Sequence, residues 1–307
     1  MENNKKNIPR VFMSPGETRR CNGRIMDVAS LFLNLAADSI PYSTVREIAE
    51  SCGVTEEYAY AELFAARCGV DSEGKDKAFF RNYVLPMIDR LDADDFTSDP
   101  YYKNISIPEK KLGKWELKRE RLKPGEAFVC RDLLVTDDGR MIPQLGFFDR
   151  EFVYPAVLEG GREWMTLMPN ETVTTEPAVE RAHGKVLTYG LGLGYFAYRA
   201  SEKENVDSVT VVELSPDVIE LFKTFILPQF PHRDKINVVC SDAFEYAEKR
   251  APAEKYDFVF ADFWHDAGDG RDLMLKMKEY EKYSLESEYT YWLEDTINCY
   301  LDRDLWP

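Results

Sequence analysis

The sequence is short of positive charge, of histidine and of paired cysteine. Its 39 lysines and arginines stand against 55 aspartates and glutamates, a net charge of −16. That is the wrong sign for a surface that neutralises phosphates, so no nucleic-acid partner is expected. The three histidines, His183, His232 and His265, match no metal-binding spacing, and no metal site is expected. Cys21, Cys52, Cys68, Cys130, Cys240 and Cys299 lie far apart with no CxxC pair, so neither a zinc ribbon nor a redox dithiol is spelled out. Most are expected to be buried thiols in a reducing compartment. No run of about 18 apolar residues occurs, because Asn34 interrupts the richest stretch near Leu31, and the N-terminus lacks a basic-then-apolar signal. No membrane partner and a cytoplasmic address are therefore expected. What is present, 44% apolar and 31% charged residues in 307, describes a globular chain of one large or two ordinary domains.

Three stretches differ in pattern. Residues 1–100 read as an N-terminal helical domain. Ile25, Val28, Ala29, Phe32, Leu35 and Ala36 recur at helical spacing, as do Phe80, Tyr83, Val84, Met87, Ile88 and Leu91, with Pro86 a kink. Ser43 or Thr44 can cap a short helix that Gly53 stops, and Thr55 can cap the next through Leu63. Ile48-Ala49, Cys52-Gly53-Val54 and Ala59 have helix-turn-helix spacing. Two arginines against five glutamates between residues 42 and 70 favour a plain αα-hairpin instead, suited to a homodimer contact or to covering an acceptor site. Residues 92–111, rich in Asp, Pro, Ser and Lys, read as a linker.

Residues 101–170 hold that linker and a small antiparallel β region, with short runs at 115–117, 127–135, 141–148 and 164–168. Asp137-Asp138-Gly139 is a hairpin turn between two of them. In residues 171–307, Thr175 with Pro177 can open a short helix. Candidate strands at 186–189, 209–213, 236–240, 257–261 and 289–293 then alternate with helical segments, which implies βαβ units and a parallel sheet.

The strongest signal is Val186-Leu187-Thr188-Tyr189-Gly190-Leu191-Gly192-Leu193-Gly194, a strand running into a glycine turn and a helix. Glycines let the backbone approach a ligand, and a helix start offers free N–H groups to an anion. Glu213 ends the second strand, Asp242 follows the third and Asp262 ends the fourth, so the three carboxylates gather at one edge of the sheet. Glu213 can accept from ribose hydroxyls and Asp242 from an adenine amino group, while Asp262 faces the reacting end. Asp242 can equally be a helix cap. A dinucleotide fingerprint wants a small residue where Tyr195 stands and does not require Asp242 and Asp262. S-adenosyl-L-methionine, which has no pyrophosphate, fits better.

Residues 139–270 resemble the class I S-adenosylmethionine-dependent methyltransferases, and among them the spermidine-synthase-like group. The resemblance lies in the glycine run, in Val209-Thr210-Val211-Val212-Glu213-Leu214-Ser215-Pro216-Asp217, in Ser241-Asp242-Ala243-Phe244 and in Tyr256-Asp257-Phe258-Val259-Phe260-Ala261-Asp262. It implies a Rossmann-like α/β domain in which Gly190, Gly192 and Gly194 hold the cofactor, Glu213 the ribose, and Asp242 with Ala243 the adenine, with Leu214 also among the cofactor-binding residues. Asp262 matches the catalytic aspartate. Gln144 and Asp149-Arg150-Glu151-Phe152-Val153-Tyr154 resemble the stretch that closes a polyamine pocket, with one extra residue between Gln144 and Glu151.

Three departures bear on function. Leu193 stands where polyamine synthases carry an aspartate for the amine of decarboxylated S-adenosylmethionine. His265 stands where they have a second aspartate, and Pro155 follows the pocket tyrosine, Tyr154. With 37 residues after Gly270, the sheet is expected to be shortened, lacking the usual closing hairpin. The reading is a transferase, a methyltransferase for a small, cationic or amine acceptor. Asp262 would position it or take its proton, and His265 and Tyr154 would flank it, although His265 can equally be a plain loop residue. The alternatives are a spermidine-synthase-like aminopropyltransferase and a non-catalytic nucleotide-binding regulator. Residues 171–307 carry 15 basic against 27 acidic residues, and acids around the 257–272 segment add to the preference for a cation.

Overall fold

The computed structural model describes residues 8–301. They form two compact units, one of residues 8–93, 121–152 and 298–301, the other of residues 94–120 and 153–297. The division is discontinuous, unlike the three consecutive segments expected, because part of the middle stretch pairs with the end of the helical one. Ile88–Leu91 is a strand, parallel to Leu145–Phe148, with Ile88 opposite Leu145 and Leu91 opposite Phe148. The apolar spacing of Ile88 and Leu91 suits a helix locally, but pairing with a distant strand decides the outcome. Just before it the helical run widens into a π turn at Phe80–Val84, next to Pro86.

The rest of this unit follows the capping signals closely. Pro15–Ala36 opens on a capping box between Ser14 and Glu17. Tyr42–Cys52 begins directly after Pro41 without a side-chain cap, so Ser43 and Thr44 lie inside the helix, and it ends at Gly53 with φ 65°. Thr55 caps Glu56–Arg67 by accepting from the Tyr58 N–H at 3.2 Å. The core of the unit is built from Ile25, Phe32, Val45, Phe64, Phe80 and Phe147. Asp137-Asp138-Gly139 turns a hairpin between Leu134–Val135 and Met141–Ile142.

In the second unit, the stretch that composition marks as a linker is folded. Asp99 caps Pro100–Asn104, accepting from the Tyr101 N–H at 2.7 Å. The other Asp99 oxygen accepts from the Tyr195 hydroxyl at 3.0 Å and from Arg199 at 2.7 Å. The Tyr101 ring stands edge-on to Tyr195 and Tyr198, so two aromatic rings, not the surrounding polar residues, decide the segment's fate.

Five strands form a parallel sheet in the spatial order Ile236–Cys240, Val206–Glu213, Gly184–Tyr189, Phe258–Ala261, Glu288–Tyr291. All four pairings are parallel. In chain order this is 3-2-1-4-5, so the order reverses beside the central Gly184–Tyr189 strand, and ligands in such sheets bind at the carboxyl ends there. Val186, Leu187, Val209, Val211, Phe258 and Val259 are buried, as strands covered on both faces require. The helix before the sheet runs Pro169–Arg181, starting six residues earlier than Thr175, with Pro169 in its first turn and Pro177 inside. A hairpin of Phe152–Glu159 and Arg162–Thr166 completes the elements that matter for the site. Among the described residues, no helix is long and apolar enough to cross a membrane.

Candidate functional site

The site begins at the turn after the central strand. Gly190 has φ 97°, and a Cβ there would lie 1.8 Å from the backbone oxygen of Asp262. Only glycine allows this approach, which sets the loop directly against the end of the fourth strand. Gly192 has φ 50°, and its missing Cβ would lie 1.7 Å from Met165 Sδ. Gly194 starts the helix Tyr195–Ser201 in the left-handed region.

A narrow cavity of about 20 Å³ lies beside this loop, lined among others by Met165, Glu171, Thr188, Gly190, Leu191 and Asp262. That is room for about one water. Burial pushes the Asp262 carboxyl up to about 7. Glu171, in the first turn of Pro169–Arg181, is held well above the usual carboxylate range, first by burial and then by the charge of Asp262. Both residues are half-buried and line this cavity. Neither carboxyl has an ion-pair partner among the described residues. Two carboxyls around one enclosed space can hold a cation or exchange a proton.

Glu213 and Asp242 form a second group, outside this cavity, at the carboxyl ends of adjacent strands whose register pairs Glu213 with Cys240. Leu191 joins the two groups: it lines the cavity, and its N–H donates to Glu213 Oε2 at 3.2 Å. Glu213 Oε1 accepts from the Ser215 N–H at 2.7 Å. Burial raises the Glu213 carboxyl, and these backbone donors oppose the rise. Each oxygen keeps a lone pair for a hydroxyl. Leu214 is 69% exposed, an apolar surface of the kind a flat base covers. Asp242 caps Ala243–Lys249, with Oδ1 accepting from the Phe244 and Glu245 N–H groups at 2.9 Å. The cap reading therefore holds, and Oδ2 is left for any ligand contact.

Other sequence candidates are spread more widely. Tyr154 lines a separate cavity of about 240 Å³ with Tyr101, Tyr102, Ile107 and Arg119, and its hydroxyl meets Glu163 at 3.4 Å. Gln144 lies in the other unit, buried, its amide donating to the carbonyls of Ile142 and Pro143 at 3.0 Å. His265 is half-buried, and its N–H donates to Asp269. Leu193 is fully buried, and its carbonyl accepts from the Tyr101 hydroxyl at 2.5 Å.

The acids near the fourth strand do not act as one patch. Asp257 sits at the amino end of that strand, accepting from the Lys185 N–H at 2.7 Å, away from Asp262. Asp266 and Asp269 form the capping box of Ala267–Tyr280. Sequence reasoning missed Glu171 and Met165. A polar residue after Pro169 looks like an ordinary helix start, and Met165 lies in a run with no distinguishing pattern.

No protein-family model matches the chain, and no curated protein does. Among solved structures it is similar to a spermidine synthase from Thermotoga maritima, at 20% identity and a TM-score of 0.30, over 37% of this chain and 41% of that one. It is also similar to a protein of the NADB-Rossmann superfamily from Streptococcus agalactiae, at 10% identity and a TM-score of 0.29, over 36% and 48%. The chain spans less than half the length of either.

Proposed function

We propose that this protein is an S-adenosylmethionine-dependent methyltransferase acting on a small amine. The observation that carries the reading is Asp262: a buried carboxyl with its proton affinity raised to about 7, set against the glycine turn at the carboxyl edge of a 3-2-1-4-5 sheet. The donor set suits the cofactor, with Gly190 and Gly192 as the close-approach positions, Glu213 for ribose hydroxyls, Leu214 for the base and Asp242 Oδ2 for its amino group. When bound, the cofactor supplies an electrophilic methyl carbon. The chain's own residues align the amine and exclude water. Asp262, as carboxylate, takes the proton that the amine must lose, and Glu171, which lines the same cavity, is a second polar group for the amine.

Titration of the purified protein with S-adenosylmethionine and S-adenosylhomocysteine is expected to give heat and a thermal shift; the absence of both responses with both ligands overturns the reading. With methyl-labelled cofactor and a panel of primary and secondary amines, Asp262→Asn is expected to lower turnover by about 10²- to 10⁴-fold. Its affinity for S-adenosylhomocysteine should stay within about threefold, since a transition-state role leaves ground-state binding intact.

Glu171 favours a second reading, aminopropyl transfer. It supplies, from another element, a second carboxyl at the cavity of Asp262, while the sequence has His265 in place of the second aspartate of polyamine synthases. That reading predicts preference for decarboxylated S-adenosylmethionine and product from putrescine. Absence of both, with binding of the intact cofactor, eliminates it.

A further inference from the structure

Met165 occupies the space over the glycine turn. Its Sδ accepts from the Leu193 N–H at 3.1 Å, and Cε would lie 2.6 Å from a Cβ on Gly192. The thioether chain is thus packed on the backbone at the position where the loop can admit a close neighbour. The cavity left beside it, about 20 Å³, is far below the several hundred Å³ that ligands the size of a nucleoside fill.

How Met165 comes to point there is visible in the strand that bears it. In the hairpin, Val157 faces Met165 and Leu158 faces Glu163, so Trp164 is an extra residue that opposes nothing. Such a bulge breaks the two-residue alternation and re-aims the side chain that follows. Arg162–Thr166 is at the edge of its four-stranded sheet, bonded to a strand on one side only. The hairpin turns at Gly160-Gly161, with φ 60° and 87°, and neither glycine has a neighbour within 4 Å of where a Cβ would be. The Gly160 N–H donates to the Lys114 carbonyl at 2.7 Å, but the turn is otherwise open around its two glycines, the strand pairs on one side only, and methionine has three rotatable bonds. N–H to thioether bonding is weak, so swinging the side chain away costs little.

We propose that Met165 is a gate on the nucleoside site: over Gly192 the thioether and the ligand exclude one another, and the site opens when the bulged edge strand withdraws Met165. The inference rests on the nucleoside reading of the glycine turn and adds to it a regulated entry. A closed gate lowers the binding-competent fraction, and apparent affinity falls in proportion.

S-adenosylhomocysteine is the probe. Met165→Ala, and Met165→Val as a strand-compatible second variant too short to reach the turn, are expected to bind it about tenfold more tightly than the wild type. A measurement on the unaltered chain is independent of any variant's folding. Dilute hydrogen peroxide converts a thioether to a sulfoxide, with water as the other product, and peptide mapping reads the rate at each methionine. Saturating S-adenosylhomocysteine is expected to speed oxidation of Met165 several-fold, the reverse of the protection a ligand usually gives. If the ligand binds but slows or leaves unchanged the oxidation of Met165, or if both variants bind no more tightly, the gate is overturned and the nucleoside reading stands. If neither wild type nor variants bind the ligand while their unfolding transitions are intact, the nucleoside reading fails and the gate with it.

Discussion

A carboxyl that keeps its proton to about pH 7 pulls folding and catalysis in opposite directions at Asp262. Burial raises its proton affinity to about 7 in the folded chain, against about 4 when unfolded. The folded state therefore binds the proton more tightly. The stability this contributes is complete below pH 4 and is lost as pH rises through 7. Asp262→Asn holds a neutral group at every pH. Its melting temperature is expected to match the wild type near pH 4.5 and to exceed it by several degrees at pH 8.5; the same offset at both values would show that the effect is not ionisation. Turnover runs the other way, rising as pH passes 7, because only the carboxylate can take a proton. Glu171 extends the argument. The charge of Asp262 is among the causes that raise Glu171, so the two carboxyls titrate as a pair. Replacing Glu171 by Gln should leave a single step in a pH titration of the cavity.

At the scale of elements, Asp99 does more than end a loop. It caps Pro100–Asn104 and pairs with Arg199, at 2.7 Å, on the helix that follows the glycine turn. Removing the carboxylate takes the cap from Pro100–Asn104, the acceptor from the Tyr195 hydroxyl and the nearer of two carboxylates from Arg199, which keeps Glu176 at 3.2 Å. Asp99→Ala is expected to cost about 2 kcal/mol in urea unfolding, and a loss below about 1 kcal/mol would reduce the contact to a surface pair. This element is also where sequence reasoning stops. The five sheet strands, the glycine turn, and the Gly53 and Thr55 signals are legible because β-branched runs, glycines and caps act locally. Residues 92–111 read as a linker because their polar composition outweighs Tyr101, whose partners Tyr195 and Tyr198 are nearly a hundred positions away. Ile88–Leu91 reads as helix for the same reason, since its partner strand lies beyond residue 140. In the site, Glu213, Asp242 and Asp262 are legible as strand ends. Glu171 and Met165 are not, since each reaches the turn from a different element and only the folded chain brings them there.

At the scale of the whole chain, the charge of −16 acts as a field in addition to its pairs. Much of it falls in residues 171–307, with 15 basic against 27 acidic residues. The acids nearest the turn are partly committed, with Asp266 and Asp269 serving their own helix start and Asp257 held at the far edge of the sheet. A preference for cations must therefore come from the two cavity carboxyls together with the general field. These differ in their response to salt, because exposed charges are screened over about 10 Å at 0.1 M and over less at higher salt, while enclosed ones are screened little. S-adenosylmethionine carries a sulfonium and is a net cation at neutral pH; S-adenosylhomocysteine has the same nucleoside and amino acid without that charge. Between 50 and 500 mM sodium chloride at pH 7.5, affinity for the cation is expected to fall about threefold and affinity for the neutral product to stay constant. Equal salt dependence for both ligands would remove the field from the account and leave the preference to Asp262 and Glu171. A fall with salt that is retained in the Asp262→Asn, Glu171→Gln double variant would place it in the field, because both cavity carboxyls are then gone.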